Sequence, residues 1–451
     1  MRPDSVTKPD PEQILQQLIE AARRAGADAA DALLVESISA SVSYRLGKLE
    51  DVERAESSDL GLRVFVGQRV AFVSSTDLSV RGLNELPERA VGMARLAPED
   101  KFACLALPEL LAHDFPALDL QDESEPAAEV LVECARAVES AAMAVPGISN
   151  SEGGGASFSR SAVALATSEG FFGQYTATIH GVGVAVLAGE GTGMERDYES
   201  VSARRLADLD SAEAVGRRAG ERTVARIHPR KVRSQAVPVV YEPRVASSLL
   251  GHFAGAISGT SVARGVTFLK DRMGETVFSS GIQIIDDPHR LRGLRSKPFD
   301  GEGVRNRRMA VVENGVLKTW LLDCASAKQL GLVSTGHAAR GTGGPPSPSA
   351  TNLYMEGGTQ PPQELLAGIK NGLYVTELIG MGVNGVTGDY SRGAAGFWIE
   401  NGQLAYPVSG ITIAGNLKDM FRNMTPANDL EFRYGINAPT LRVEGMTLAG
   451  A

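Results

Sequence analysis

GMGVNGVTGDYSRGAAGFWIENGQLAYPVSGITIAG, residues 380–415, combines closely spaced glycines with aromatic and aliphatic residues. Asn401 and Gly402 separate two apolar runs, at residues 397–399 and 404–408. Asn-Gly favours a tight hairpin turn, because such a turn needs positive φ at both central residues. Glycines beside strand residues indicate close approach of the backbone to a neighbour or a ligand. The segment therefore predicts a hairpin, preceded by a glycine-rich strand region.

Several further motifs, together with this segment, resemble the TldD/PmbA family, formerly called modulators of DNA gyrase. In chain order they are FLKD at 268–271, IDDP at 285–288, RGL at 292–294, PFDGEGV at 298–304, NGVL at 314–317, LD at 322–323 and SATN at 349–352. The resemblance extends over the whole chain. Within the family the sequence is most similar to the PmbA branch, also called TldE, and this similarity implies a partner subunit of a peptidase.

Length and composition restrict the class of protein. A chain of 451 residues exceeds what one hydrophobic core usually serves, so two or more domains are expected. The 43% of hydrophobic and 22% of charged residues are typical of a globular protein. The net charge of −9 argues against a direct nucleic-acid partner, which basic side chains would attract.

Cysteine usage and hydropathy predict the compartment. Cys104, Cys134 and Cys324 are far apart and form no Cys-x-x-Cys pair, which is typical of reduced thiols. Acidic residues interrupt the first 30 positions, so no signal peptide is predicted there. The sequence has no run of about 18 apolar residues, the length that a membrane span needs. We expect a cytoplasmic protein without a membrane partner.

The first half of the chain predicts an α+β domain over residues 10–228, after a flexible tail at 1–9. Asp10 and Pro11 are typical of a helix start, and apolar residues then recur at helical spacing until Gly26. Alternation of period two between Ala32 and Tyr44 predicts a strand. Further predicted elements are a hairpin at 62–73, helices at 79–96, 126–143 and 211–226, and strands at 156–167 and 172–187. Helices packed on antiparallel strands are the expected architecture.

A basic, proline-containing segment at 227–233 marks the predicted boundary. Residues 229–451 predict a mostly-β domain, with an antiparallel sheet or barrel-like core and a few helices. One helix is predicted at 243–257, because Pro243 is suited to a first turn and apolar residues follow at four-residue intervals.

This helix is where the family resemblance implies zinc chemistry. In the catalytic branch, the resemblance implies a His-Glu-x-x-x-His motif on this helix and a cysteine near the C-terminus as a further ligand. In this chain Gly251 occupies the first histidine position, His252 the glutamate position and Ala256 the second histidine position. Glycine and alanine have no side-chain donor for zinc, and no cysteine follows Cys324. We therefore expect two vacant ligand positions and no cofactor in this chain.

Two interpretations of His252 remain open. A single histidine beside an apolar stripe is often a packed residue, although its position can also place it in a substrate groove. The family-independent pattern agrees with the lack of a metal motif, because the closest histidines in sequence, His228 and His252, are too far apart for a local two-histidine motif.

Asp389, Tyr390 and Arg392 form a polar cluster inside the glycine-rich segment. One interpretation is a turn in which Asp389 and Arg392 pair. The other is a peptide groove, in which an exposed strand edge binds an extended substrate and Gly393 and Gly396 let its backbone approach. Two other acidic pairs, Asp286-Asp287 and Asp300 with Glu302, are interpreted as turn acids rather than cation ligands, because they lack an EF-hand spacing.

Two functional hypotheses follow. The first is a non-catalytic TldE/PmbA-like subunit of a TldD/TldE-type zinc metallopeptidase, with zinc in the TldD-like partner. The resemblance implies that such an assembly acts on small or unfolded peptides, in the processing of peptide-antibiotic precursors or the degradation of antitoxins. The alternative is a regulatory protein that binds DNA gyrase or another folded partner without a proteolytic role. Without its companion, the chain can also form a homodimer.

Overall fold

A six-stranded antiparallel sheet forms the first half of the protein in a computed structural model that describes residues 10–450. Its strands are β1 (Ala29–Arg45), β2 (Lys48–Val66), β3 (Arg69–Ser75), β4 (Ile148–Thr167), β5 (Phe172–Ala188) and β6 (Glu195–Ala203), in the order β3-β2-β1-β4-β5-β6. Four helices accompany them: α1 (Pro11–Arg24), α2 (Val80–Leu96), α3 (Ala128–Met143) and α4 (Ala212–Ala225). The tail predicted at residues 1–9 lies outside the described residues.

The two faces of this sheet are buried against different parts of the chain. On β1, Ala32 and Leu34 pack with α1 and α2, and Val42 packs with α3. Because strand side chains alternate between faces, Leu33 points the other way, where it packs in a cluster with Phe299 of the second half. The predicted packing of helices on antiparallel strands is confirmed. The opposite face of the sheet packs against residues of the second half, including Phe299.

A closed barrel organises the second half. The helices of the second half are α5 (Pro243–Ala256), α6 (Gly259–Ala263), α7 (Cys324–Leu330), α8 (Pro362–Ala367) and α9 (Leu417–Arg422). Its strands are β7 (Gln235–Tyr241), β8 (Ile284–Asp286), β9 (Met309–Glu313), β10 (Val316–Leu317), β11 (Ala338–Ala339), β12 (Ser347–Pro348), β13 (Leu353–Met355), β14 (Asn371–Ile379), β15 (Asp389–Glu400), β16 (Gln403–Asn416), β17 (Met424–Pro426), β18 (Ile436–Asn437) and β19 (Leu441–Ala449). The sheet has the order β16-β15-β14-β7-β19-β17. Pairing of β16 with β19 closes the strands from β16 to β19 into a barrel, and β17 pairs with β19 outside this ring. The predicted barrel-like core is confirmed, with one parallel pair, β7 with β14, among its antiparallel neighbours.

Short strands form a second sheet in the order β10-β9-β8-β13-β18. It shares a large hydrophobic core with α5 and the barrel, in which Phe253 of α5 contacts the rings of Phe278 and Phe421. Among residues 10–450, no helix is both long enough and apolar enough to span a membrane.

The hairpin predicted from Asn401 and Gly402 is confirmed. It joins β15 to β16, and these two residues have φ of 50° and 81°. Glycine also matters at Gly396, where a Cβ would overlap the carbonyl oxygen of Tyr374 on the neighbouring strand β14. The close approach predicted for this glycine is therefore an approach to a strand of the same barrel.

A buried ion cluster joins the two halves. Arg63 on β2 donates from Nε to Asp31 Oδ2 over 2.9 Å, and its Nη1 lies 3.3 Å from Glu302 Oε1. Arg340 donates to the second oxygen of Asp31 over 2.7 Å, and the Cys324 amide donates to Glu302 over 2.8 Å. Burial raises the pKa of Glu302 to about 7, although the positive charge of Arg63 opposes the shift.

The acidic pairs in the loops are only partly turn acids. Asp287 accepts a hydrogen bond from the His289 amide, and Asp300 accepts from the amides of Glu302 and Val304, as the sequence predicts. The interpretation is wrong for Asp286, which lies fully buried on β8 and accepts from the Thr351 amide over 2.8 Å. It is also wrong for Glu302, whose carboxylate belongs to the ion cluster.

Candidate functional site

Helix α5 forms as the sequence predicts. Pro243 occupies its first turn, and Val245, Leu249 and Phe253 are buried in the core that the helix shares with the barrel. The opposite side of the helix is less buried and includes Gly251 and His252. The buried stripe therefore leaves Gly251 and His252 on the less buried side of the helix, whereas Ala256 lies on the buried side.

The residues at the two vacant positions differ in their surroundings. A Cβ added at Gly251 would meet no atom within 4 Å, so this position borders open space. Ala256 is buried, with 5% of its surface exposed. Neither side chain has a donor atom for zinc, and within residues 10–450 no three His, Cys, Asp or Glu side chains are grouped to hold a metal ion. The residues of this helix do not fit the zinc site of the catalytic branch.

His252 lies against Tyr390 of β15. Their ring centroids are 6.2 Å apart and their planes make an angle of 79°, an edge-to-face contact. In the part of the chain that the structure describes, neither His252 Nε2 nor Tyr390 OH makes a hydrogen bond of good geometry, although both atoms are buried and the Tyr241 side chain lies close to the Tyr390 hydroxyl. Two buried polar atoms without partners are costly, so this contact requires an explanation beyond packing.

The electrostatics of this pair favour neutral side chains. Burial lowers the pKa of His252, and the positive charge of Arg392 lowers it further. Burial raises the pKa of Tyr390 to about 12. At neutral pH the site therefore offers a phenol hydroxyl and a neutral imidazole, which can donate or accept hydrogen bonds from a polar ligand.

Tyr241 extends this cluster into the barrel. It lies at the end of β7, fully buried, and its hydroxyl donates to Met446 Sδ over 3.2 Å. Burial, followed by the neighbouring Tyr390, raises its pKa. Sequence reasoning missed this residue. The only available signal was its place at the end of an apolar strand, two residues before Pro243.

The predicted pairing of Asp389 with Arg392 is wrong. Asp389 accepts from Thr387 Oγ1 over 2.6 Å and from Asn416 Nδ2 over 3.0 Å. Arg392 donates from Nε to the carbonyl oxygen of Ile379 over 3.3 Å. Both residues are on β15, and each side chain holds a different neighbouring segment.

The six predicted groove residues are thus only partly brought together. His252, Tyr390 and Arg392 belong to one cluster, whereas Asp389 is exposed at the start of β15. A Cβ at Gly393 would lie 3.3 Å from the Cβ of Ile379, and at Gly396 it would overlap the backbone of β14. Both glycines serve the pairing of β14 with β15.

Comparison with known proteins identifies the family. Residues 30–94, 121–227 and 234–450 match the first, central and C-terminal domains of the PmbA/TldA metallopeptidases. The chain is 41% identical to Metalloprotease PmbA of Escherichia coli O157:H7, over 94% of this chain and 92% of that protein. It is 38% identical to the Metalloprotease PmbA homolog of Haemophilus influenzae, over 97% and 96% of the two chains.

Solved structures show the same fold. A Bacteroides thetaiotaomicron protein, described as a candidate modulator of DNA gyrase, superposes with a TM-score of 0.90 at 27% identity, over 98% of this chain and 99% of that chain. TldE from Thermococcus kodakarensis superposes with a TM-score of 0.87 over 96% and 99% of the two chains. At 20% identity, the latter likeness concerns the fold alone.

Proposed function

Because the chain belongs to the PmbA/TldD metallopeptidase family, we propose that it is the non-catalytic, TldE-like subunit of a heteromeric zinc peptidase. A TldD-like partner holds the zinc and the attacking water. This chain supplies part of the wall around the substrate and holds no catalytic metal of its own.

One observation supports this assignment above the others. Gly251 borders open space on α5, next to His252, whose Nε2 has no hydrogen-bond partner among the described residues, yet Gly251 has no side chain with which to bind a metal. Catalytic zinc sites generally use three protein ligands, and both histidine positions of the expected motif are vacant on this helix. The helix packs in the core but has no zinc donor at these positions, as expected of a subunit that does not carry out the chemical step.

The substrates of the assembly are small or unfolded peptides, such as peptide-antibiotic precursors and antitoxins. An extended peptide exposes backbone N–H and C=O groups. Tyr390 and His252 are neutral hydrogen-bonding groups that can pair with such atoms. This chain then orients the peptide, and the partner cleaves it in the cytoplasm.

Co-expression with a TldD-like protein tests the proposal. We expect a stable heteromer by size-exclusion chromatography, and cleavage of an unstructured peptide only when both chains are present. Chromatography of this chain alone shows whether it forms a homodimer. Full activity of the TldD-like protein alone, unchanged by addition of this chain, would contradict the proposed role.

A regulatory protein that binds gyrase is the second candidate. The net charge of −9 favours a protein partner over DNA, and a structural relative is described as a candidate modulator of DNA gyrase. A pull-down from native lysate separates the two. Recovery of a TldD-like chain supports the peptidase subunit, and recovery of gyrase without that chain supports the regulator.

A further inference from the structure

A cavity of about 440 Å³ lies between the N-terminal sheet and the barrel, at the end of α5 remote from His252. Residues of β6 and α4 line it on one side, and the start of α5, strand β14 and the segment at 429–438 line it on the other. Its size is within the range of small-molecule and side-chain binding sites, roughly 300–1,000 Å³. We call it the interdomain cavity.

Thr376 of β14 gives the first indication that the interdomain cavity has a ligand. The residue lines the cavity and is only 6% exposed, and the described chain offers its Oγ1 no hydrogen-bond partner. A buried hydroxyl without a partner is unfavourable unless something outside the chain completes it. Tyr374, two residues earlier on β14, also lines the cavity.

The charges of the lining side chains determine whether the cavity favours a cation or an anion. Five carboxylates line it, those of Asp197, Glu199, Glu242, Asp429 and Glu431. Only three arginines balance them, Arg222, Arg244 and Arg433. The lining residues therefore have a net negative charge, although the buried Asp197 and Glu199 also form ion pairs with Arg226, which lies behind the lining, and with Arg222. A cation would relieve this excess, whereas an anion would increase it.

The arginines are already engaged within the protein. Arg244 donates to Asp197 Oδ1 and to the Thr376 carbonyl oxygen, each over 2.8 Å. Arg433 donates to Glu431 over 2.7 Å, and Arg222 pairs with Glu242. An incoming anion would have to displace these carboxylates from their partners.

Acceptor capacity remains on the acidic side. Asp429 accepts from the amide and the hydroxyl of Thr440, over 2.9 and 2.7 Å, which leaves further lone pairs on both oxygens. Aromatic rings complete the lining, from Tyr374, Phe397 and Tyr434. Ring faces attract organic cations, and they add to the effect of the carboxylates.

We propose that the interdomain cavity binds an organic cation, the guanidinium or ammonium group of a basic peptide side chain. The cation donates to Thr376 Oγ1 and to the carboxylate of Asp429, with aromatic rings beside it. Its assignment to a peptide rests on the proposed function. A free polyamine has the same ammonium chemistry, and its affinity relative to that of a basic peptide distinguishes the two sources.

Isothermal titration of the full-length chain tests the proposal with matched probes. The first probe is acetyl-Ala-Arg-Ala-amide, and its control is the neutral isostere in which citrulline replaces arginine. The third is spermidine. We expect the arginine peptide to bind at least about tenfold more tightly than the citrulline peptide, the scale of one hydrogen bond to a charged group. We also expect it to bind more tightly than spermidine.

Two variants localise the binding. Thr376→Val removes the hydroxyl while keeping the shape, and should weaken binding of the arginine peptide about tenfold without lowering the melting temperature, because no hydrogen bond to a described residue is lost. Glu431→Gln at the exposed rim should weaken it by a smaller factor. Thr447→Val, on an exposed position of β19, is the matched control and should change neither quantity.

The binding results can overturn either the proposed site or its assignment to a peptide. Equal affinity for the arginine and citrulline peptides, or no binding of either, overturns the proposal, as does unchanged affinity in Thr376→Val. Preference for spermidine over the arginine peptide overturns its assignment to a peptide. None of these results affects the assay of cleavage by the heteromer, so failure of this site and failure of the proposed function are distinguishable.

Discussion

His252 on α5 and Tyr390 on β15 meet edge to face with ring centroids 6.2 Å apart, and in the described chain neither His252 Nε2 nor Tyr390 OH has a hydrogen-bond partner. The helix and the strand are far apart in the sequence of the second half. Gly251, which the sequence predicts to be a vacant zinc-ligand position, directly precedes His252, so this contact lies beside that position and within the glycine-rich segment. The partner-less atoms suit a site that is completed by another molecule.

The Tyr390 hydroxyl should matter for activity more than for folding. Tyr390→Phe removes a buried hydroxyl that has only the nearby Tyr241 side chain as a polar neighbour among the described residues and makes no hydrogen bond of good geometry, so we expect the free energy of unfolding to change by no more than about 1 kcal/mol. Peptide cleavage by the heteromer should fall several-fold. Denaturant unfolding and a peptidase assay measure the two quantities. Tyr241→Phe is the control, because it breaks the bond to Met446 and should lower stability. A destabilised Tyr390→Phe with normal activity would contradict this prediction.

Two glycines should respond to alanine in opposite ways. At Gly396 a Cβ would overlap the Tyr374 carbonyl oxygen, so Gly396→Ala should lower the free energy of unfolding by about 3 kcal/mol. At Gly251 the Cβ would enter open space within a helix, and Gly251→Ala should raise it by up to about 1 kcal/mol. Urea unfolding of both variants checks the ranking, which the reverse order would refute.

Glu302 should make stability depend on pH. Its pKa is about 7 in the folded protein, against 4.5 as the ordinary value, because burial penalises the carboxylate. Between these values the folded state holds a proton that the unfolded state has lost, so the contribution is fully present below pH 4.5 and disappears as pH rises through 7.

The Glu302→Gln variant isolates this effect. The free energy of unfolding of the unchanged protein, relative to the variant, should fall by on the order of 3 kcal/mol between pH 4.5 and pH 8. Denaturant titrations at intervals of one pH unit measure it. Glu20→Gln, on the exposed surface of α1, is the control and should show no such fall. A difference that is constant with pH would show that Glu302 is ionised throughout.

Arg392 should lower the pKa of His252 and so favour its neutral form. Burial is the main cause of the lowered pKa of His252, and the guanidinium of Arg392 contributes in the same direction. Arg392→Gln should therefore raise the His252 pKa, as followed by NMR of the imidazole. Arg230→Gln removes an equal charge beside Tyr406 and serves as the control. Equal effects of the two substitutions would exclude a local action of Arg392.

The sequence predicted those elements whose pattern matches their burial. Helix α1 begins at the predicted cap, where Asp10 accepts from the Glu12 amide, and the Asn401-Gly402 hairpin forms. Strand β6 was missed, because its inward residues include Asp197 and Glu199, which reverse the usual alternation of apolar and polar side chains. Strands of two or three residues, such as β10 and β13, are too short to show a period.

The candidate site was predictable only where the residues lie in recognisable motifs. His252, Tyr390 and Arg392 were named from the helix and the glycine-rich segment, although their contact depends on closure of the barrel. Thr376 has no local signal, and Tyr241 has only its place at the end of an apolar strand, because the significance of both residues comes from burial and from hydroxyl groups that other strands surround. The interdomain cavity likewise depends on packing between segments far apart in sequence.

Zinc content and peptide cleavage, measured on the same preparation of this chain alone, test the central claim most directly. After purification in zinc-containing buffer and exhaustive dialysis, we predict substoichiometric zinc by elemental analysis and no cleavage of an unstructured peptide. The co-purified heteromer should hold one zinc per TldD-like subunit and cleave the peptide until a chelator is added. One tightly bound zinc per chain with chelator-sensitive cleavage, in the absence of a partner, would contradict the account.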